Sequence, residues 1–156
     1  MIAVAGDYGR AARALQEGWR QLEPALSAPR GAIILIDVCG MGEWNDRLGE
    51  EGGDELLARL GARLRDWTAP AVVARMAGDQ FAVVRPGDRP PLIIAAGLRA
   101  HLRRERFTGD VLRLHVGVAG WTARVRWPQA MMLADRELRS GRMMPARSGP
   151  RCVRRP

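Results

Sequence analysis

The sequence predicts an α+β fold in which helices cover a central antiparallel sheet. Three observations lead to this prediction: a continuous apolar run at 32–36, two short apolar runs flanking a Gly-Asp turn within 72–84, and an alternating strand within 111–119. Helical patterns precede, separate and follow these segments. A strand-helix-hairpin-helix-strand core of this kind is typical of the ferredoxin-like arrangement, a palm-shaped sheet.

The chain opens with a predicted turn-rich leader over residues 1–10. The region from Ala11 to Leu26 has Leu15, Trp19 and Leu22 at helical spacing, which predicts an amphipathic helix. We expect its apolar stripe to contribute to the core or to a contact between two chains.

The apolar run Ala32–Ile36 predicts a strand that is buried on both faces and ends at Asp37. A carboxylate at the carboxyl end of a central strand lies where open sheets bind ligands. The simpler interpretation is that Asp37 caps the following helix. Position alone leaves both interpretations open.

Two helical pieces follow the first strand. The first contains Trp44, Asn45 and Leu48, and the glycines of 49–53 predict a break after it. The second is a long amphipathic helix that runs from Asp54 to Trp67. In the simplest interpretation Asp54 is the N-cap of this helix.

The segment 72–84 predicts a β-hairpin with Ala77, Gly78, Asp79 and Gln80 at its turn. Such a turn brings a carboxylate and bare backbone close to whatever lies above it. On the hairpin alone, an ordinary Gly-Asp turn is the simpler interpretation. In a ferredoxin-like sheet the first strand and the hairpin are neighbours, so Asp37 and Asp79 could share a divalent ion.

The remaining elements are a helix over 92–102, the strand within 111–119 and a helix over 128–142. We divide the chain into an N-terminal leader and helix at 1–30, a domain at 31–142 and a basic tail at 143–156. The tail is rich in Pro, Gly, Ser and Arg, which predicts disorder.

Composition limits the classes of protein that fit. A chain of 156 residues with 47% hydrophobic content suits one folded domain. No apolar run is long enough to cross a bilayer, and the apolar N-terminus is too short for a signal peptide, so we expect a cytoplasmic protein without a membrane partner. Cys39 and Cys152 lack the spacing of a disulfide framework or a zinc site.

The formal net charge of +8 is concentrated near the C-terminus, since residues 101–156 contain thirteen Arg and four acidic residues. A solvated Arg surface and a phosphate-binding surface both fit this pattern. Residues 143–156 contain no aromatic side chain for base stacking, so nucleic acid is the less favoured partner.

Residues 37–57 preserve, without a gap, the spacing of the pattern Asp-x-Asp-x-Phe-Lys-x-x-Asn-Asp, then Gly-His, then Gly-Asp-x-x-Leu. Four positions depart from it: Cys39 replaces the second Asp, Met41 the Phe, Gly42 the Lys and Glu50 the His. A second string, Ala77-Gly78-Asp79-Gln80-Phe81, lies shortly after Ala74-Arg75 and precedes an apolar strand. It corresponds to the signature loop Gly-Gly-Asp-Glu-Phe that follows this pattern. Through these motifs the sequence resembles the GGDEF domain, the diguanylate cyclase family, from about residue 31 to residue 142. The segment 52–56 imitates the family's signature but lies in the register of Gly-Asp-x-x-Leu.

The resemblance implies a metal site and a base site. Asp37, the carbonyl of Val38 and Asp79 would hold Mg²⁺ or Mn²⁺, with Asp37 and Asp79 as the catalytic carboxylates. Asn45 and Asp54 would hydrogen-bond a guanine base, whose O6 accepts and whose N1 and N2 donate. The implied reaction condenses two GTP molecules into cyclic di-GMP, with two chains facing each other as a homodimer.

Further residues are implied to bind substrate, and some positions depart from the family pattern. Gly78 would let backbone approach the phosphates, and Arg142 falls where the family has a phosphate-binding Lys. Gln80 replaces the family's second acidic residue, which removes a charge near the metal. Ala77 replaces the first glycine, a change that a turn tolerates where φ is negative.

Three functions follow from these observations. The first is a cyclase that acts on GTP. The second is a catalytically silent relative that binds a guanine nucleotide or a protein partner and works as a regulator. The third is a basic module in which the Arg-rich tail contacts nucleic acid.

Overall fold

A computed structural model of the chain describes residues 3–68, 71–104 and 106–143. The elements in chain order are α1 (Ala3–Leu26), β1 (Gly31–Val38), α2 (Met41–Thr68), β2 (Val72–Arg75), β3 (Gln80–Pro86), α3 (Pro91–Leu102), β4 (Leu114–Trp121) and α4 (Trp127–Met143). None of the described helices has an apolar stretch long enough to cross a membrane.

The four strands form one sheet in the order β2-β3-β1-β4. Every neighbouring pair is antiparallel, with β1 between β3 and β4. This order is that of the ferredoxin-like arrangement, so the α+β prediction is confirmed. Because β1 is central, its last residues lie between the hairpin of β2 and β3 on one side and the start of β4 on the other.

The sheet separates two apolar clusters because side chains alternate along each strand. Ile34 and Ile36 of β1 pack with residues of α2 and α3 on one face. Ile33, on the opposite face, packs with Leu22 and Leu26 of α1 and with residues of α4. The protein therefore has three layers, with two helices on each side of the sheet.

The described structure corrects three boundaries predicted from the sequence. The predicted leader is wrong for residues 3–10, which are helical, so α1 begins at Ala3. The predicted break over 49–53 is confined to Gly49, whose φ of 76° is the departure from helical geometry within α2. β4 begins at Leu114, opposite Val38, because the partner strand β1 ends there. The basic tail beyond Met143 lies outside the described residues.

Candidate functional site at the carboxyl end of β1

The carboxyl end of β1 places Asp37 between two polar residues. Asp37 lies opposite Gln80 of β3 and opposite His115 of β4 in the antiparallel register. Side chains opposite each other in such pairs share one face of the sheet, and their Cβ atoms are about 4.5–5.5 Å apart. Within the described residues, Asp37 is the buried charged side chain, with 9% of its surface exposed. Burying a carboxylate is costly unless it is paired, so this strand end is a candidate functional site.

The turn of the hairpin lies beside this strand end. The Val38 N–H donates a hydrogen bond of 3.3 Å to the Asp79 carbonyl oxygen. The turn is closed by bonds from Met76 N–H to the Gln80 carbonyl, at 2.8 Å, and from Gln80 N–H to the Ala77 carbonyl, at 3.0 Å. The structure therefore brings the backbones of Val38 and Asp79 into direct contact, as the sequence predicted for β1 and the hairpin.

Gly78 has the backbone conformation for which glycine is required. Its φ is +56°, and a Cβ atom added to it would meet no other atom within 4 Å. The turn therefore leaves open space over this peptide unit, through which a substrate could approach the backbone. Among the described residues, Thr108 is the non-glycine residue with positive φ, so φ at Ala77 is negative. A negative φ is the condition under which alanine can replace the family's first glycine at this position.

Asn45 and Asp54 lie on the two halves of α2, before and after the kink at Gly49. A Cβ atom at Gly53 would overlap Oδ1 of Asn45, so the hydrogen of Gly53 allows the two halves to close together. This contact places Asn45 beside the residue that precedes Asp54. The carboxylate of Asp54 is 73% exposed and thus faces solvent.

Arg75 connects α2 to the hairpin turn. Its Nε donates to the Gly78 carbonyl at 2.8 Å, and its Nη2 donates to Oδ1 of Asp54 at 3.1 Å. In the sequence, Arg75 stands out only by its place two residues before the Ala77–Gln80 turn. A contact with a residue 21 positions earlier depends on how α2 packs on β2, which the local sequence does not reveal.

The C-terminal turn of α4 approaches the same end of the sheet. A Cβ atom added at Gly141 would come within 3.9 Å of Nδ1 of His115, the residue opposite Asp37. Arg142 is the next residue of α4. The backbone of Arg142 therefore lies in the neighbourhood of the β1 end, and the phosphate-binding role of this residue stays a prediction.

The donor set at this end fits a hard divalent cation. The candidate groups are the carboxylates of Asp37 and Asp79 and the carbonyl of Val38, which are all oxygen ligands of the kind that Mg²⁺ prefers. No group of three or more His, Cys, Asp or Glu placed to hold a metal ion occurs in the part of the chain that the structure describes. Mg²⁺ is commonly bound by one or two carboxylates together with substrate phosphates, so such a cluster is not required.

The fold and the strand-end carboxylate define a class of ferredoxin-like domains with a polar site at one end of the sheet. Within that class the chain belongs to the GGDEF domain family, since the family model described as "Diguanylate cyclase, GGDEF domain" matches residues 11–143.

Curated and solved relatives agree with this assignment. The chain is 28% identical over 165 residues to diguanylate cyclase TpbB of Pseudomonas aeruginosa, a match that covers 93% of this chain and 36% of TpbB. The crystal structure of the GGDEF domain of that protein, PA1120, superimposes with a TM-score of 0.57 at 28% identity, covering 85% of this chain and 86% of the other. An EAL/GGDEF domain protein from M. capsulatus gives a TM-score of 0.66 at 25% identity, with 81% and 90% covered.

The chain spans about a third of the length of TpbB, the curated relative that it matches over 93% of its own residues. Family membership therefore rests on the GGDEF region alone.

Proposed function

We propose that this domain binds a guanine nucleotide together with Mg²⁺ or Mn²⁺ at the carboxyl end of β1, and that two such domains condense GTP to cyclic di-GMP. The observation that carries the proposal is the contact between Val38 N–H and the Asp79 carbonyl, at 3.3 Å, beside the buried Asp37. Membership of a family described by diguanylate cyclase activity supports it.

Each proposed residue has a distinct role. Asp37, Asp79 and the carbonyl of Val38 would hold the cation. A bound cation would supply Lewis-acid chemistry, lowering the pKa of a ribose 3′-hydroxyl and neutralising charge on the phosphates. Asn45 and Asp54 bind the guanine base, with the Asp54 carboxylate accepting hydrogen bonds from the N1 and N2 donors.

Two further residues act on the triphosphate. The open backbone at Gly78 lets the phosphates approach the turn, and Arg142 pairs with phosphate oxygens. In each half-reaction the 3′-hydroxyl of one GTP loses its proton to solvent and its oxygen bonds to the α-phosphorus of the other. The bond from that phosphorus to the oxygen bridging it to the β-phosphate breaks, and pyrophosphate leaves. Because each domain holds one GTP, the reaction requires a homodimer.

A second candidate function is nucleotide-dependent regulation without turnover. Gln80 lies opposite Asp37 in the register, at a position where the family has an acidic residue, so the site has one carboxylate fewer near the cation. Loss of one such group could reduce turnover by orders of magnitude while leaving nucleotide affinity largely intact. In that case the bound state of the domain would act through a protein partner.

Thermal melting with GTP, ATP or cyclic di-GMP, each with and without Mg²⁺, tests nucleotide binding. We expect a Mg²⁺-dependent rise in Tm with GTP that is absent for Asp54→Ala and retained by Arg30→Ala, a change at the opposite end of the sheet. Identical Tm values with and without every nucleotide would contradict both candidate functions.

A pyrophosphate-release assay then separates the two functions. Release together with a dinucleotide product supports the cyclase. A GTP-dependent rise in Tm without pyrophosphate supports the regulator.

A further inference from the structure

We propose that Arg75 is a positioning residue that holds the Asp54 carboxylate in the orientation needed to read guanine and ties it to the hairpin turn. This inference rests on the proposed function of Asp54. Two hydrogen bonds carry it: Arg75 Nε to the Gly78 carbonyl at 2.8 Å, and Arg75 Nη2 to Asp54 Oδ1 at 3.1 Å.

The sheet pairing places Arg75 where it can reach both partners. Arg75 is the last residue of β2 and lies opposite Phe81 of β3. Val73, two residues earlier and thus on the same face, packs in the cluster that includes residues of α2. The side chain of Arg75 therefore leaves the sheet towards α2, on which Asp54 lies.

A guanidinium group suits this bridge. It is planar and carries five N–H donors in a fixed geometry, so one group can bond two acceptors that lie in different directions. The ammonium of a Lys is a compact charge on a flexible stem and does not fix two acceptors relative to each other. We therefore expect Arg75→Lys to retain the charge but not the orientation of Asp54.

The bond to Asp54 leaves that residue able to bind a base. Among the described contacts, Arg75 engages Oδ1, and Oδ2 can still accept hydrogen bonds from guanine. The Asp54 side chain is 73% exposed, so without Arg75 it would sample several rotamers. Fixing one rotamer before the nucleotide arrives reduces the entropy lost on binding.

The second bond extends the effect of Arg75 to the metal side of the site. The Gly78 carbonyl that Arg75 engages immediately precedes Asp79 in the turn. Arg75 thus connects the residue proposed to read the base with the turn that carries a proposed metal ligand. A change at Arg75 would alter base selectivity and the position of the turn together.

We expect Arg75 to be replaceable without unfolding the protein. Its side chain is 41% exposed, and ion pairs between exposed groups contribute little to stability. The Arg30–Asp88 pair provides a matched control, because it is also exposed, has a 2.7 Å N–O distance and lies at the opposite end of the sheet.

The test compares dissociation constants for GTP and inosine triphosphate (ITP), measured calorimetrically with Mg²⁺ present. ITP lacks the 2-amino group of guanine, which would donate a hydrogen bond to a correctly oriented Asp54 carboxylate. The wild type is therefore expected to prefer GTP. We expect Arg75→Gln and Arg75→Lys to reduce the ratio Kd(ITP)/Kd(GTP) by about fivefold or more, and Arg30→Gln to leave it unchanged. In the Asp54→Ala background, Arg75→Gln should cause no further change in this ratio.

The outcomes separate this inference from the function on which it rests. If the wild type prefers GTP and Arg75→Gln leaves the ratio Kd(ITP)/Kd(GTP) unchanged, the positioning role alone is overturned. This holds also where Arg75→Gln weakens the binding of both nucleotides by the same factor. Absence of guanine-nucleotide binding by the wild type would overturn the proposed function, and the inference with it. A reduced ratio Kd(ITP)/Kd(GTP) with an unchanged Tm would support the proposal, because a purely structural role predicts a lower Tm with an unchanged ratio.

Discussion

The two ends of the sheet are built from different kinds of residues. At the amino end of β1, Gly31 lies against the ring of Trp121, and the indole N–H of Trp121 donates to the Ala28 carbonyl at 2.9 Å. At the carboxyl end, Asp37 is buried between polar neighbours, and the turn at Gly78 opens to solvent. The first end is filled by an aromatic ring, whereas the second leaves room beside a carboxylate.

We therefore propose that the amino end chiefly stabilises the fold and that the carboxyl end carries the function. A packed aromatic ring adds buried apolar area, while burial of a carboxylate adds a cost. Changes at the first end should alter the free energy of unfolding. Changes at the second should alter nucleotide binding or turnover.

The largest expected effect is that of Trp121→Ala. Removing this ring, which is 3% exposed, should lower the free energy of unfolding by about 3–5 kcal/mol, because a cavity replaces it. Urea denaturation measures this change. Trp121→Phe keeps most of the apolar volume and loses the hydrogen bond, so it should cost less. A loss of GTP affinity in molecules that remain folded would break the proposed division between the two ends.

The next effect sharpens the account of the carboxyl end. Gln80→Glu restores a carboxylate opposite Asp37, so the rate of pyrophosphate release from GTP should rise by about tenfold or more. Gln80→Ala is the matched control, and it should not raise the rate. Equal rates for wild type and Gln80→Glu would mean that the lost carboxylate does not limit turnover.

A smaller effect is expected for Gly78→Ala, which places a side chain at a φ of +56°. The strain should cost about 1–2 kcal/mol in the free energy of unfolding. Gly42→Ala is the matched control, because a Cβ atom there also meets nothing within 4 Å but the residue lies in α2. Chemical denaturation should find Gly42→Ala neutral or stabilising, since alanine favours helix. Equal costs at the two positions would argue against strain in the turn.

The smallest effect is that of Arg30→Ala at the amino end. Arg30 and Asp88 are both exposed, so the change should cost no more than about 0.5 kcal/mol and should shrink further in high salt. Thermal melting at low and high ionic strength measures this. A cost of several kcal/mol would mean that the pair is more important to the fold than its exposure indicates.

The arrangement of elements could be predicted from the sequence because hydrophobic periodicity reports which faces are buried. The alternation in β4 and the continuous apolar run of β1 both lead to strands in the structure. The error at residues 3–10 arose because Gly6 and Gly9 suggested a turn, although α1 continues through both. Glycine lowers helix propensity only modestly, and neighbouring residues can override it.

The candidate site was predictable only in part. Asp37 and Asp79 belong to motifs that are continuous in sequence, and the antiparallel register explains why they lie near each other. The contact of Arg75 with Asp54 and the location of His115 opposite Asp37 depend on packing and pairing between distant segments. Those features require the fold before they can be seen.

The central claim is that the carboxyl end of β1 binds a guanine nucleotide through a divalent cation. Calorimetric titration of GTP into the wild type and into Asp37→Asn, with and without Mg²⁺, tests it most directly. We expect Mg²⁺-dependent binding by the wild type and little or none by Asp37→Asn. Equal GTP affinity in the two proteins, or equal affinity with and without Mg²⁺, would contradict it.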